Sequence, residues 1–391
     1  MEGLPLEGID PDRLRHRWGQ KWSALGEGVL PAWVADADAA PLPAALEAID
    51  RLLAAGDLTY PHLDAPEQLR AAYAAHAARR HGWHLDPAEI VVGTDVVQLV
   101  SFAIDRLSPP EAPVMIHTPC YSGLHKEIAA LGRPLWPLPW SRTPTGWATS
   151  TDDVVAGVEA GARLLILVNP HNPTERCWSA EELDSLAAVV LEHDLVVVAD
   201  EVFADLVLDG RPHIPFANLS PETAAVTLTV TSPSKSHNLA GIRCAVAHVG
   251  SARALDPIRR IPPSQLGNVS NVGLVAAMAA WSDGEDWLDA FVAAIADRRD
   301  QAVSFLADHL PTAEVVAPEA GYLLWVDLRR VGLPEPIEQF FLDRALVRLL
   351  GGDEFGPGDA GFVRLNLATS RELLDEILAR MVTAVDLWRM S

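Results

Sequence analysis

From about residue 88 to 250 the chain alternates short apolar runs with helical patterns, and this alternation restricts its fold more than any other feature. EIVVG (89–93) reads as a strand and Thr94–Leu107 as a helix; PVMIH (113–117) is a strand followed by a helix from about Ser122. RLLILV (163–168) reads as a buried strand. SAEELDSLAAVVLEH (179–193) opens with a serine and a glutamate three residues on, the pattern of a capped helix. LVVVA (195–199), AVTLTV (225–230) and CAVAHV (244–249) are further β-rich runs. Strands joined by helices of this length pair in parallel, so the expectation is a three-layer α/β domain built on a large, mostly parallel sheet.

The C-terminal third has a different rhythm. A long amphipathic helix spans about 285–309, followed by AEVVA (313–317), YLLWVDL (322–328), a helix near 335–348, FVRLNLA (362–368) and a last helix from Ser370. Few strands among helices predict a smaller α+β domain. At 391 residues the chain exceeds the roughly 250–300 at which a single core stops growing. The expected division is an N-terminal segment (1–45) packing on the small domain, a large domain (46–255) and a small C-terminal domain (256–391).

A net charge of −23 repels nucleic acid and anionic membranes, and it obliges any anionic ligand to find a local cationic pocket. No apolar run approaches the ~20 residues of a membrane span, and MEGLPLEGIDPDRLRHRW has no apolar stretch before a small-residue cleavage site. The expected location is the cytoplasm. The three cysteines, Cys120, Cys177 and Cys244, are too far apart for a zinc or disulfide pattern and read as free thiols. Of 30 basic residues only Lys21, Lys126 and Lys235 are lysines, so the chain uses arginine where charge alone suffices. A lysine in an uncharged stretch therefore points to amine chemistry.

In open α/β sheets, ligands gather at the carboxyl ends of the strands. Three such ends carry unusual residues here. Asn169-Pro170-His171-Asn172-Pro173-Thr174 follows RLLILV, Asp200-Glu201 follows LVVVA, and Thr231-Ser232-Pro233-Ser234-Lys235-Ser236-His237-Asn238 follows AVTLTV and runs on to Arg243. Each has an ordinary reading, respectively a capping loop, a helix cap and a solvated polar loop. A buried carboxylate at a strand end otherwise requires a cationic partner.

Together these stretches resemble the core of the fold-type I pyridoxal-5′-phosphate (PLP) enzymes of the aminotransferase class I/II superfamily. Asn172, Asp200, Ser232, Lys235 and Arg243 follow the family's order and spacing. Within the superfamily the chain is most similar to the cystathionine β-lyase-like C–S lyases of the MalY/PatB group. LPAWVADADAA, LTYPHLDAPEQL, IHTPCYSGL, EVFADLVLDGRPHIPFANLSPE, KSHNLAGIRCA, GYLLWVDLR and GFVRLNLA carry that similarity. The resemblance implies the aspartate-aminotransferase-like PLP-transferase fold, with PLP as cofactor and no metal. It implies that Lys235 holds PLP as a Schiff base and then acts as the Cα base, a role arginine cannot take. Asp200 would face the pyridine nitrogen, and Asn172 would hydrogen-bond the phenolic oxygen and border the substrate. Thr94, the amides of Thr94 and Asp95 at a helix start, Ser232 and Arg243 would hold the phosphate. Tyr121 would stack on the ring near the leaving group, and Arg364 would take the substrate carboxylate. Tyr60 would reach the partner's phosphate and substrate in a homodimer with shared active sites.

Several positions depart from the family. Phe203 stands where a tyrosine or histidine usually bonds the cofactor's phenolic oxygen. Glu175 replaces the glycine of NPxNPTG, Asp95 brings a carboxylate to the expected phosphate site, and GGDEFG (351–356) replaces a PG-aromatic segment. The function expected from the resemblance is β-elimination from a cysteine S-conjugate, an amino-acid thioether, to thiol, pyruvate and ammonia. The alternatives are an aminotransferase, a decarboxylating or oxidatively deaminating enzyme acting on an S-linked cysteine in antibiotic biosynthesis of the lincosamide type, and a PLP-bound regulatory protein.

Overall fold

Runs of β-branched and leucine side chains, bounded by turn residues, become the strands of one seven-stranded sheet. The computed structural model describes residues 5–143, 146–250, 256–334, 336–356 and 358–391. The first four residues of the N-terminal segment, and residues 251–255 at the expected end of the large domain, lie outside the described residues. In chain order the strands are β1 (Ile90–Gly93), β2 (Val114–Thr118), β3 (Leu135–Pro139), β4 (Leu164–Val168), β5 (Val196–Asp200), β6 (Thr227–Thr231) and β7 (Ala245–His248). Their order across the sheet is β1-β7-β6-β5-β4-β2-β3. Only β7 runs antiparallel to its neighbours. Every residue of β4 is buried, as a strand covered on both faces requires.

Strand β3 was not expected from the sequence. Its LWPLP carries two prolines, which cannot donate to a ladder and are tolerated only at a sheet edge. It is the edge strand here, pairing with β2 alone.

The helices that matter below are α1 (Pro43–Ala54), α2 (Ala65–His81), α3 (Val96–Leu107), α4 (Ala180–Glu192), α5 (Asn271–Asp283), α6 (Glu285–His309), α7 (Ile337–Ala345) and α8 (Arg371–Arg389). Helix α3 begins two residues later than the pattern predicts, because Asp95 is its N-cap: the carboxylate accepts from the Gln98 amide at 2.9 Å. Helix α4 opens with the expected capping box between Ser179 and Glu182. Helix α5 packs against α1 and α2, and its Leu274, Ala277 and Trp281 share a core with Tyr73, Ile90 and Val246. This packing places residues 271–283 in one core with strands of the large sheet.

Four short strands, β8 (Glu314–Val315), β9 (Leu323–Asp327), β10 (Leu350–Gly351) and β11 (Phe362–Asn366), form an antiparallel sheet in the order β8-β9-β11-β10. Their inner face packs on Leu374, Ile377 and Met381 of α8 and Leu306 of α6. Leu14, Trp22 and Leu30 of the N-terminal segment enter the same core, and Leu30–Pro31 pairs in parallel with Val347–Arg348. No described helix is long and apolar enough to cross a membrane.

Beyond Pro31 the chain forms a strap over the junction of the two sheets. Side chains hold its backbone almost residue by residue. Trp33 O accepts from Arg364 at 2.9 Å, Val34 O from Asn366 at 2.5 Å, and Ala35 O from Lys235 at 2.8 Å and Tyr322 at 2.9 Å. Asp36 O accepts from Lys21 and Asn366, and Asn238 bonds both the amide and the carbonyl of Ala37. Lys21 is itself buried and ion-paired with Asp38 at 3.0 Å, which accounts structurally for one of the three lysines.

Candidate active site

Strands β4, β5 and β6 are parallel neighbours, so their carboxyl ends bring Asn172, Asp200 and Lys235 to one edge of the sheet. The ladder continues past the strands, with Asn169 N bonded to Asp200 O and Glu201 N to Val230 O, both at 3.0 Å. Lys235 lies on the short helix Pro233–Ser236, whose N-cap is Ser232. Beyond its bond to Ala35 O, its Nζ lies 4.0 Å from an Asp36 carboxylate oxygen. Burial lowers the Lys235 ammonium from its ordinary value, against the opposing pull of Asp36.

Asp200 is buried, and burial lifts its carboxyl to about 6, partly offset by the Val202 amide that donates to it at 3.2 Å. Lys235 is the cation that pulls it back. Arg364 projects from β11 and is buried. One Nη donates to Asn172 Oδ1 at 3.3 Å and the other to Trp33 O, while its buried Nε has no partner among the described residues. Its guanidinium lies 5.1 Å from the centre of the Phe355 ring, and burial lowers it to about 10. Tyr121 stands between these groups. Burial raises its phenol, and the charges that act on it are those of Arg364, Asp200, Asp95 and Arg243. Gly123 leaves room for that ring, because a Cβ there would meet Tyr121 Cε1 at 2.4 Å.

Thr94, Asp95, Ser232 and Arg243 are each already engaged. Thr94 donates both its amide and its hydroxyl to Gln98 Oε1, at 3.0 and 2.9 Å. Ser232 Oγ donates to Cys244 O at 2.7 Å. Arg243 pairs with the Asp95 carboxylate, which therefore turns towards the arginine and the helix start. Tyr60 is 93% exposed.

The unusual positions are also explained in part. Glu175 sits at φ 51, the left-handed region in which glycine is at home. Its side chain is buried over Gly321, neither carboxylate oxygen has a partner among the described residues, and burial pushes it well above the usual carboxylate range. Phe203 is buried in an apolar cluster with Leu206 and Phe291, its ring 5.7 Å from that of Tyr322. Within 351–356 the aromatic is kept as Phe355, whose carbonyl accepts from Cys120 N. All three cysteines are free and buried.

Sequence reasoning missed Gln98, Tyr322 and the strap carbonyls of Trp33 and Ala35. Carbonyl roles leave no side-chain signature; the only available signal was the WVADADA text itself.

The family model for aminotransferase class I and II matches residues 24–381. The chain belongs to that family. It is 32% identical to cystathionine β-lyase PatB of Bacillus subtilis over 93% of this chain and 96% of that one. It is 31% identical to a putative cystathionine β-lyase of Mycobacterium leprae over 98% and 99%. The crystal structure of a putative PLP-dependent β-cystathionase from Corynebacterium diphtheriae superposes with a TM-score of 0.92 at 34% identity, covering 98% of this chain and 99% of that one. The family's fold, a large mixed sheet flanked by helices with a smaller second sheet, is the fold of this chain.

Proposed function

We propose that the chain is a PLP-dependent C–S lyase that eliminates the thiol from a cysteine S-conjugate. The observation that carries this reading is a lysine amine close enough to a buried strand-end carboxylate and to a buried arginine to feel both charges, the arginine's Nε having no partner among the described residues. The residues suit the cofactor. Burial raises the carboxyl of Asp200, and a protonated pyridine nitrogen would be a cationic partner that offsets that cost. When bound, PLP supplies a ring that delocalises the electron pair left at Cα.

The remaining work falls to the chain itself. Arg364 offers a fork to the α-carboxylate and so fixes the Cα–H bond relative to Lys235. Burial favours the neutral amine of Lys235, the form able to accept the Cα proton. Tyr121 keeps its proton because burial raises its phenol, and it is the donor available to a departing sulfur. The Cα–H and Cβ–S bonds break, a C=C bond forms, and the enamine product takes one water to yield pyruvate and ammonia. Asn172, held by Arg364, keeps the carboxylate end aligned with the cofactor end.

The cysteine S-conjugate is favoured by the relatives' names and by the tyrosine at the leaving-group end. A second reading, amino transfer, draws on Phe203, which cannot hydrogen-bond the cofactor as the usual tyrosine or histidine does. Purified protein given PLP should show a band near ~420 nm that is absent in Lys235→Ala. It should release thiol and pyruvate from L-cystathionine. A keto acid without thiol would replace elimination by amino transfer; no band would end the cofactor reading.

A further inference from the structure

We propose that Asp95 is a specificity-determining residue for the cofactor's phosphate: it competes with that phosphate for Arg243, so the chain holds PLP less tightly than it would with an uncharged cap at position 95. This rests on the assignment of Thr94, Ser232 and Arg243 to the phosphate end.

The N-terminus of a twelve-residue helix such as α3 favours a negative group through its unpaired amides and its dipole. In this chain a carboxylate of its own already stands there. Asp95 is the N-cap residue, and its Oδ1 accepts from Gln98 N at 2.9 Å, which keeps it at the helix start. Its Oδ2 takes the guanidinium of Arg243. Three further donor atoms have neutral acceptors: Thr94 N and Oγ1 both point to Gln98 Oε1, and Ser232 Oγ to Cys244 O.

These contacts differ in kind. The acceptors of Thr94 and Ser232 are neutral, so each of these donors can exchange one hydrogen bond for another to a phosphate oxygen. Asp95 has no such exchange. Its charge cancels that of Arg243, so an incoming phosphate meets an ion pair where it would otherwise meet a free cation, and it must share the arginine with a carboxylate at close range. Arg243 is mostly exposed and can swing; Asp95 is anchored by the helix.

The test compares dissociation constants of PLP and pyridoxal for cofactor-free wild type and Asp95→Asn, read from the visible band and from tryptophan fluorescence. Asparagine caps helices as well as aspartate, so the fold is preserved. The expected result is PLP bound at least ~10-fold more tightly by the variant, with pyridoxal, which lacks the phosphate, unchanged. Inorganic phosphate should also compete with PLP at lower concentration in the variant. Equal or weaker PLP binding by Asp95→Asn overturns the proposal and makes Asp95 a support that holds Arg243 in place. Equal tightening of PLP and pyridoxal overturns it too, because the effect would not involve the phosphate. No band in either protein would overturn the cofactor assignment itself, a result distinct from equal affinities.

Discussion

Glu175 is the residue whose surroundings suit it least. A buried polar group without a hydrogen-bond partner costs roughly 1–3 kcal/mol, and a left-handed backbone at a residue other than glycine roughly 1–2 more. Glu175→Gly should therefore raise the thermal midpoint. Gly321 is its obligate neighbour: a Cβ at 321 would lie 1.5 Å from Glu175 Oε2. Gly321→Ala should be strongly destabilising alone and distinctly less so in the Glu175→Gly background, where only the strain of φ +63 remains. Equal costs in both backgrounds would refute the contact. Asp200 permits a pH prediction for cofactor-free protein. Its carboxyl ionises near the ordinary value of 3.8 when unfolded and at about 6 when folded, so between those values the native state binds more protons. Stability should then fall as pH rises from about 4 to 6, by up to the order of 3 kcal/mol, and Asp200→Asn should remove that fall. Chemical unfolding at pH 4.5 and 7 in ~0.15 M salt measures it; parallel profiles for both proteins would contradict it. Lys235 and Asp200 were legible because each breaks a local rule, a lysine in an arginine-using chain and a carboxylate at the end of an apolar run. The pairing of Arg243 with Asp95 was not legible, because spacing does not tell which way a carboxylate turns.

At the level of elements, the central strands were read from their apolar runs because both faces are covered, and α4 from its Ser179–Glu182 capping pair. β3 was missed because its prolines argue against a strand everywhere except at an edge, and edge position is a property of the whole sheet. The start of α3 shifted because Asp95 is a better cap than Thr94 is a first-turn residue here. The packing of α5 on α1 and α2, some 200 residues earlier in the chain, was not read from the sequence, because contacts at that separation leave no local pattern.

For the whole molecule, the loop after α1 exposes Leu58, Tyr60 and Leu63, the last two more than 90% open to solvent in a single chain. Adjacent exposed large apolar side chains mark an interaction surface, and we propose that a second copy covers this one. Sedimentation at micromolar concentration should give twice the 42.2 kDa of one chain, and a monomeric mass would leave that loop unexplained.

The strap at residues 33–38 has a consequence in time. It is synthesised early, yet the side chains that read its carbonyls belong to residues 235–238, 322 and 364–366, which leave the ribosome on the order of tens of seconds later at ~5–20 residues per second. Until then most of its carbonyls have only water for partners, Asp36 O being within reach of Lys21. A chain ending short of Arg364 and Asn366 can complete the large sheet but has nothing to fasten the carbonyls of Trp33 and Val34, so a prematurely terminated product keeps Lys235 and lacks Arg364. Only a chain that has reached Asn366 can bring these side chains to the strap.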